Sequence, residues 1–182
     1  ANSYNFADIP VVILCGGFGT RMKEETEFRP KPLVTIGGMP MILHIMNIYY
    51  SYGFRKFVLP LGYKGKMIKD FFLNYKYSGD FSLKIRRGED NVVDYKASGD
   101  INEFDISFIE TGTYTETGSR LRMVKDYLEN DSGIFLLTYG DGVSDIDIPK
   151  LVEYHNSHGK AVTITGINEP FRYGEIIEDD NL

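Results

Sequence analysis

The sequence predicts a Rossmann-like three-layer α/β sandwich with a mostly parallel central sheet and a β-rich insertion, on three observations. The first is the continuous apolar run Val11-Val12-Ile13-Leu14-Cys15, the pattern of a strand buried on both faces. The second is the alternation of such runs with segments of helical apolar spacing, which implies right-handed crossovers between parallel strands. The third is a break in that alternation from Lys76 to Thr113. There, short alternating segments are separated by Ser78-Gly79-Asp80, Gly88-Glu89-Asp90 and Ser98-Gly99-Asp100.

The elements follow in order. Val11 to Cys15 stops at Gly16-Gly17 and belongs in the middle of a sheet. Pro40 suits the first turn of a helix with Ile42, Ile45, Met46 and Tyr49 on one face and Gly53 as its stop. Phe57-Val58-Leu59 reads as a second strand, and Met67, Ile68, Phe71, Phe72 and Tyr75 fall at helical spacing within Lys66 to Tyr75. Residues 76–113 form the β-rich excursion, with Ser82 to Arg86 and Asp105 to Glu110 as its segments. Leu121, Val124 and Leu128 mark another helix, with Thr117 or Ser119 as its N-cap. Ile134 to Thr138 is an apolar strand. Leu151 to His155 is a helix introduced by Pro149 and stopped near Gly159, and Ala161 to Thr165 is a further strand. In such a sheet ligands bind at the carboxyl ends of the strands, here after Cys15, Leu59 and Thr138. With no repeat, linker or low-complexity tract, residues 1–182 read as one domain, and the strand-like ending predicts that it is C-terminally incomplete.

A chain of 182 residues, 42% hydrophobic and 14% aromatic, can bury a real core, which argues against disorder. Its net charge of -6 disfavours non-specific nucleic-acid binding. A small anion can still be met locally by Arg21, Lys23, Arg29 and Lys31. The single cysteine, Cys15, closes no intrachain disulfide, and the amino-terminal residues lack a leader pattern. The expectation is a cytoplasmic protein without a membrane segment.

Gly16-Gly17-Phe18-Gly19-Thr20-Arg21 follows the first strand directly. Such a loop can bring backbone N–H groups to phosphate oxygens because glycine leaves no side chain in the way; a tight strand-to-loop turn would use the same residues. It is not a Walker loop, nor the dinucleotide fingerprint, which would need glycine where Met22 stands. Arg21 offers a fixed fork of donors suited to a triphosphate. Lys31 is a point charge on Pro30-Lys31-Pro32, a segment stiffened by two prolines. Gly140-Asp141-Gly142 sets a carboxylate at the end of an apolar strand, with room for a hydrated Mg²⁺ and substrate phosphates, and equally reads as a plain turn.

Leu14-Cys15-Gly16-Gly17-Phe18-Gly19-Thr20-Arg21, followed by Pro30-Lys31-Pro32-Leu33, resembles the signature of the sugar-1-phosphate nucleotidyltransferases, which make nucleotide sugars. Within that family the chain is most similar to the branch that makes CDP-glucose from CTP. Glu24-Glu25-Thr26, Ile36-Gly37-Gly38, Pro40 to Met46, Gly62-Tyr63-Lys64-Gly65 and Thr138 to Val143 carry the closer match. The resemblance covers essentially the whole chain and is weakest from Lys76 to Ile101. It implies that Leu14, Cys15, Gly16, Gly17 and Phe18 bind nucleotide, that Gly19, Thr20 and Arg21 bind its phosphates, and that Lys31 acts on the phosphates at the reacting centre. It implies Asp141, beside Gly140, as the Mg²⁺ ligand, Thr115 and Arg120 as pyrimidine contacts, and Gly174 in Phe171-Arg172-Tyr173-Gly174 at the sugar. Arg21, Lys31 and Asp141 are then the catalytic set.

The same resemblance implies transfer of CMP from CTP to glucose 1-phosphate, in a homo-oligomer that feeds dideoxysugar and surface-polysaccharide (O-antigen) synthesis. A second metal carboxylate and a sugar-site Glu-Lys pair fall beyond the position of Leu182. Other readings stay open: a uridylyl-, thymidylyl- or guanylyltransferase, another sugar, or a nucleotide-binding module without turnover. Among the remaining residues, His155 and His158 read as a metal pair or a solvated helix end, and His44 has no evident partner. Cys15 reads as a buried apolar residue or, beside an arginine, an oxidisable thiol. Phe71, Phe72, Tyr75 and Tyr77 read as core or a subunit contact.

Overall fold

The computed structural model describes residues 5–17, 28–75, 81–84, 92–95 and 103–166. Strand β1, Val11–Leu14, is buried at every position, as its unbroken apolar run requires. A two-stranded antiparallel ribbon follows, β2 Thr35–Ile36 and β3 Met39–Pro40, and leads into helix α1, Met41–Ser51. Pro40 is the N-cap of α1 rather than a member of its first turn, because it is paired with Thr35 across the ribbon. Strand β4, Lys56–Leu61, and helix α2, Gly65–Leu73, come next. Sequence alone ends β4 at Leu59, before Pro60. The strand continues because the Pro60 carbonyl accepts from the Cys15 amide at 3.3 Å, a role that proline retains.

Residues 81–84 and 92–95, β5 and β6, pair antiparallel as a separate hairpin. Asp105–Glu110, which the sequence groups with this β-rich excursion, is instead β7 of the central sheet, in parallel register with β4 from Lys56↔Asp105 to Leu61↔Glu110. Its alternation reflects an outer position with half-buried side chains, a pattern that also suits a hairpin strand. Helix α3, Thr117–Met123, and strand β8, Leu136–Tyr139, follow. Glu116, not Thr117 or Ser119, is the N-cap of α3, and no side chain caps it.

Among the described residues the central sheet has the order β7-β4-β1-β8, and each of its three pairings is parallel. Val12, Leu14 and Val58 face one side, where Val124, Leu121 and Leu128 pack on them from α3 and the turn after it. Side chains alternate along a strand, so Val11, Ile13, Phe57 and Leu59 face the other side. There Phe57 meets Phe104, which meets Tyr50 of α1, and Phe72 of α2 meets Phe108 of β7. The result is the predicted three-layer α/β arrangement. From β1 the chain winds first toward β4 and β7, then returns over the opposite face to β8. The direction of winding reverses between β1 and β8, which is where a doubly wound sheet opens a crevice at its carboxyl edge.

By compactness the chain divides into Ala1–Asp145, which holds this sheet, and Ile146–Leu182. In the second unit α4, Ile148–His158, begins at Asp147, whose carboxylate accepts from the Lys150 amide at 3.1 Å, and ends at Gly159 in the left-handed region, φ 64°. No strand forms at 161–166, where Val162 and Ile164 are exposed; their alternation supplies a face but finds no ladder partner among the described residues. His155 and His158 both bond the Thr163 hydroxyl at 2.8 Å, and no group of three potential metal ligands occurs among the described residues, so the reading of the two as a metal pair is not supported. No described helix is long and apolar enough to cross a membrane.

The Lys150 ammonium and amide together hold the Asp147 carboxyl below its usual range. A carboxyl lowered by folding stabilises at pH above its unfolded value, roughly 3.9, and loses that contribution as pH falls through the folded value. Asp147→Ala is therefore expected to speed hydrogen exchange in α4 at pH 6, with the difference from wild type shrinking below about pH 4. A difference equally large at pH 2.5 would show that the charge is not responsible.

Candidate active site

At the crevice between β1 and β8 lies a cavity of about 480 Å³, lined by residues from four stretches of chain. Leu14, Cys15, Gly16 and Gly17 come from the end of β1, Lys31 and Pro32 from the turn of 3₁₀ helix at Lys31–Leu33, and Tyr139, Gly140 and Asp141 from the end of β8. Thr113 to Thr117 and Arg120 supply the remaining wall. Nine of the residues predicted for the site, Leu14, Cys15, Gly16, Gly17, Lys31, Thr115, Arg120, Gly140 and Asp141, thus share one cavity. Phe18, Gly19, Thr20, Arg21 and Gly174 lie outside the described residues.

Its decisive contact is between Lys31 and Asp141, 110 positions apart in the chain, whose Nζ and Oδ2 atoms stand 2.9 Å apart. Pro30 and Pro32 limit the backbone freedom of the lysine segment. Gly140 allows the close approach, since a Cβ there would lie 2.9 Å from Pro32 Cγ and 3.0 Å from the Leu14 carbonyl oxygen. Gly142 stands in open space on the other side of the carboxylate. Both charged side chains remain partly exposed, 22% for Lys31 and 39% for Asp141, so the pair is worth at most about 1 kcal/mol and is easily exchanged for ligand contacts.

Cys15 is fully buried and donates its thiol to the Ile13 carbonyl at 3.2 Å. Burial first, and the Asp141 charge second, push its pKa far up. The burial agrees with the reading of Cys15 as a small buried apolar residue, and Arg21, on which the oxidisable-thiol reading rests, lies outside the described residues. His44, without an evident partner in the sequence, is bonded to the Ile36 carbonyl at 3.0 Å, where the ribbon meets α1.

Arg120 is 5% exposed. Its Nη1 donates to the Leu61 carbonyl at 3.1 Å and to Thr111 Oγ1 at 2.6 Å, and its Nη2 to the carbonyls of Gly16 at 3.1 Å and Thr113 at 3.2 Å. Thr111, 1% exposed, donates its hydroxyl to Leu61 at 2.7 Å, and Thr115 donates its hydroxyl to the Thr111 carbonyl. Burial draws the Arg120 pKa down, while the Glu116 charge opposes the shift. Thr111 and Gly62 fall in segments that carry the family resemblance, but the sequence assigns neither a role in the site. Their signal is positional only, a polar residue and a glycine just beyond β7 and β4.

The arrangement offers two glycines at the end of β1, a cation and a carboxylate on one side, and a hydroxyl-rich wall of Thr113, Tyr114, Thr115 and Thr117 on the other. That is suited to a nucleoside phosphate. The profile of the nucleotidyl transferase family matches residues 10–182. The chain belongs to this family. Among its nucleotidyl transferase relatives, the probable glucose-1-phosphate cytidylyltransferase of Bacillus subtilis is 43% identical over 172 residues, 94% of this chain and 65% of the relative. The glucose-1-phosphate cytidylyltransferase of Salmonella typhimurium is 39% identical over 166 residues, 91% of this chain and 63% of the relative. The chain thus spans just under two thirds of the length of these curated relatives. HddC from Yersinia pseudotuberculosis, solved in complex with GMP-PN, is similar in structure with a TM-score of 0.58 and 26% identity, over 81% of this chain and 54% of that one.

Proposed function

We propose that the cavity binds CTP and glucose 1-phosphate and that the protein transfers CMP between them, releasing CDP-glucose and pyrophosphate. The Lys31–Asp141 contact beside the Gly16-Gly17 turn carries the proposal, because it joins at one point the cation and the carboxylate that phosphoryl chemistry needs. The names of the two cytidylyltransferase relatives supply the choice of nucleotide and sugar.

In this reading a phosphate oxygen of glucose 1-phosphate attacks the α-phosphorus of CTP in line, and the bond from that phosphorus to the β-phosphate oxygen breaks. The Gly16-Gly17 turn, and beyond it Arg21, hold the triphosphate, and Lys31 swings from Asp141 to neutralise charge at the reacting phosphates. Thr115 and its neighbours form the wall for the base. Asp141 fits Mg²⁺ as one carboxylate completed by substrate phosphates and waters, since the described residues form no all-protein cage. Bound there, the ion would screen the phosphate charge. Both substrates are charged metabolites of the cytoplasm, where we place the reaction.

Thermal unfolding with Mg²⁺ and excess CTP, UTP, dTTP or GTP tests the reading. A ligand at a hundredfold its dissociation constant stabilises by about 2.7 kcal/mol. Selective stabilisation by CTP is expected. Equal stabilisation by UTP or dTTP, or selective stabilisation by GTP, would reassign the nucleotide, and no shift with any of them would remove the enzyme reading.

A further inference from the structure

We propose that Arg120 is a positioning residue: its guanidinium clasps the ends of β1, β4 and β7 and so sets the Gly16-Gly17 turn and the 111–115 wall before any nucleotide arrives. All four Nη hydrogens are directed at protein acceptors, one beyond β1, one at the end of β4 and two beyond β7. The backbone is shaped around the group. A Cβ on Gly16 would lie 2.7 Å from Nε, and one on Gly62 would lie 2.6 Å from Nη1.

Only a planar fork can reach these divergent acceptors at once. A lysine carries the same charge but its donors radiate from a single atom. Thr111 completes the clasp by accepting from Arg120 while donating to Leu61, the same carbonyl that Arg120 bonds. Thr111 is buried and is not among the residues that line the cavity, so it separates positioning from direct contact. A group that only touched the nucleotide would need no partner such as Thr111. A group that aligns the loop fails whichever half of the clasp is lost.

The test uses Arg120→Lys, Thr111→Val and Thr111→Ser. In the nucleotide-free protein, hydrogen exchange at the Cys15 amide, bonded to the Pro60 carbonyl, and at the amide of residue 111, bonded to the Leu61 carbonyl, is expected to quicken about ten- to a hundredfold in Arg120→Lys and Thr111→Val, the scale of a lost bond to a charged donor. Val12 to Leu14 should keep their protection, and Thr111→Ser should behave as wild type. This arm is independent of the function proposed above. In the second arm, which rests on that function, KM for CTP is expected to rise in both Arg120→Lys and Thr111→Val and to recover in Thr111→Ser. Wild-type exchange in both variants would overturn the clasp, as would a KM raised by Arg120→Lys but untouched by Thr111→Val. Loss of protection throughout the sheet in Thr111→Val would also overturn it, by making the role one of general stability.

Discussion

Lys31→Ala and Asp141→Ala are each expected to slow the proposed CMP transfer about 100- to 1000-fold, the usual cost of one group that stabilises charge developing at a reacting centre. The two side chains reach the same side of the cavity from different segments, Lys31 from the segment held by prolines and Asp141 from the end of β8. Each stands beside Gly140 and the end of β1, where the transferred phosphoryl group would sit. Their contact contributes at most about 1 kcal/mol to stability, so the variants should melt close to wild type and any loss of rate should reflect the site. Asp141→Asn keeps the shape and removes the charge. It should fail as badly as alanine, and Lys31→Arg should recover part of the rate. Because each residue is the other's resting partner, Lys31→Ala with Asp141→Ala should cost less than the product of the single losses. Near-normal turnover in both single variants would end the assignment.

Phe57→Ala is expected to lower the unfolding free energy by about 3–5 kcal/mol, a large part of the 5–15 kcal/mol that holds an ordinary domain together. Phe57 is 1% exposed and lies in β4, between the pairings to Val11 of β1 and Ile106 of β7. Its ring meets Phe104 edge to face at 5.5 Å, and Phe104 meets Tyr50 at 5.7 Å, a chain of rings that fastens α1 to the sheet. The Arg55 guanidinium lies 3.7 Å over the same Tyr50 ring. Removing Phe57 leaves a cavity that neighbouring strands, fixed by their hydrogen bonds, cannot close. Urea unfolding should show a lower midpoint with an unchanged slope. A loss as small as that from Phe135→Ala, at a position 39% exposed, would contradict this account of the core.

The central strands were legible because full burial leaves a mark that no surface element imitates: β1 and the core of β4 are continuous apolar runs with 0 to 3% exposure from Val11 to Ile13 and from Phe57 to Leu59. β7 was legible as a strand but not as a member of this sheet, since half-buried alternation does not say which partner a strand takes. Asp105 to Glu110 gained its place only from β4. Lys31 and Asp141 could be singled out, each in a segment with its own local pattern. That they touch could not be, because it depends on the register of β1 with β8. Arg120 was singled out through resemblance, but three of its four bonds go to backbone carbonyls, which every residue type carries alike.

The Lys31–Asp141 contact spans 110 positions and the Arg120–Gly16 contact 104, and both depend on parallel pairings that a hairpin cannot supply. Contacts so remote in sequence form late, after loop closure has been overcome, and slow the folding of domains that depend on them. During synthesis β1 and β4 leave the ribosome long before β8 does. For that interval the most apolar strand of the chain has one edge uncovered, and the half-made sheet is open to association with other nascent chains or to capture by chaperones. The crevice at the edge of β1 is thus also a surface that the growing chain leaves unprotected until β8 is made.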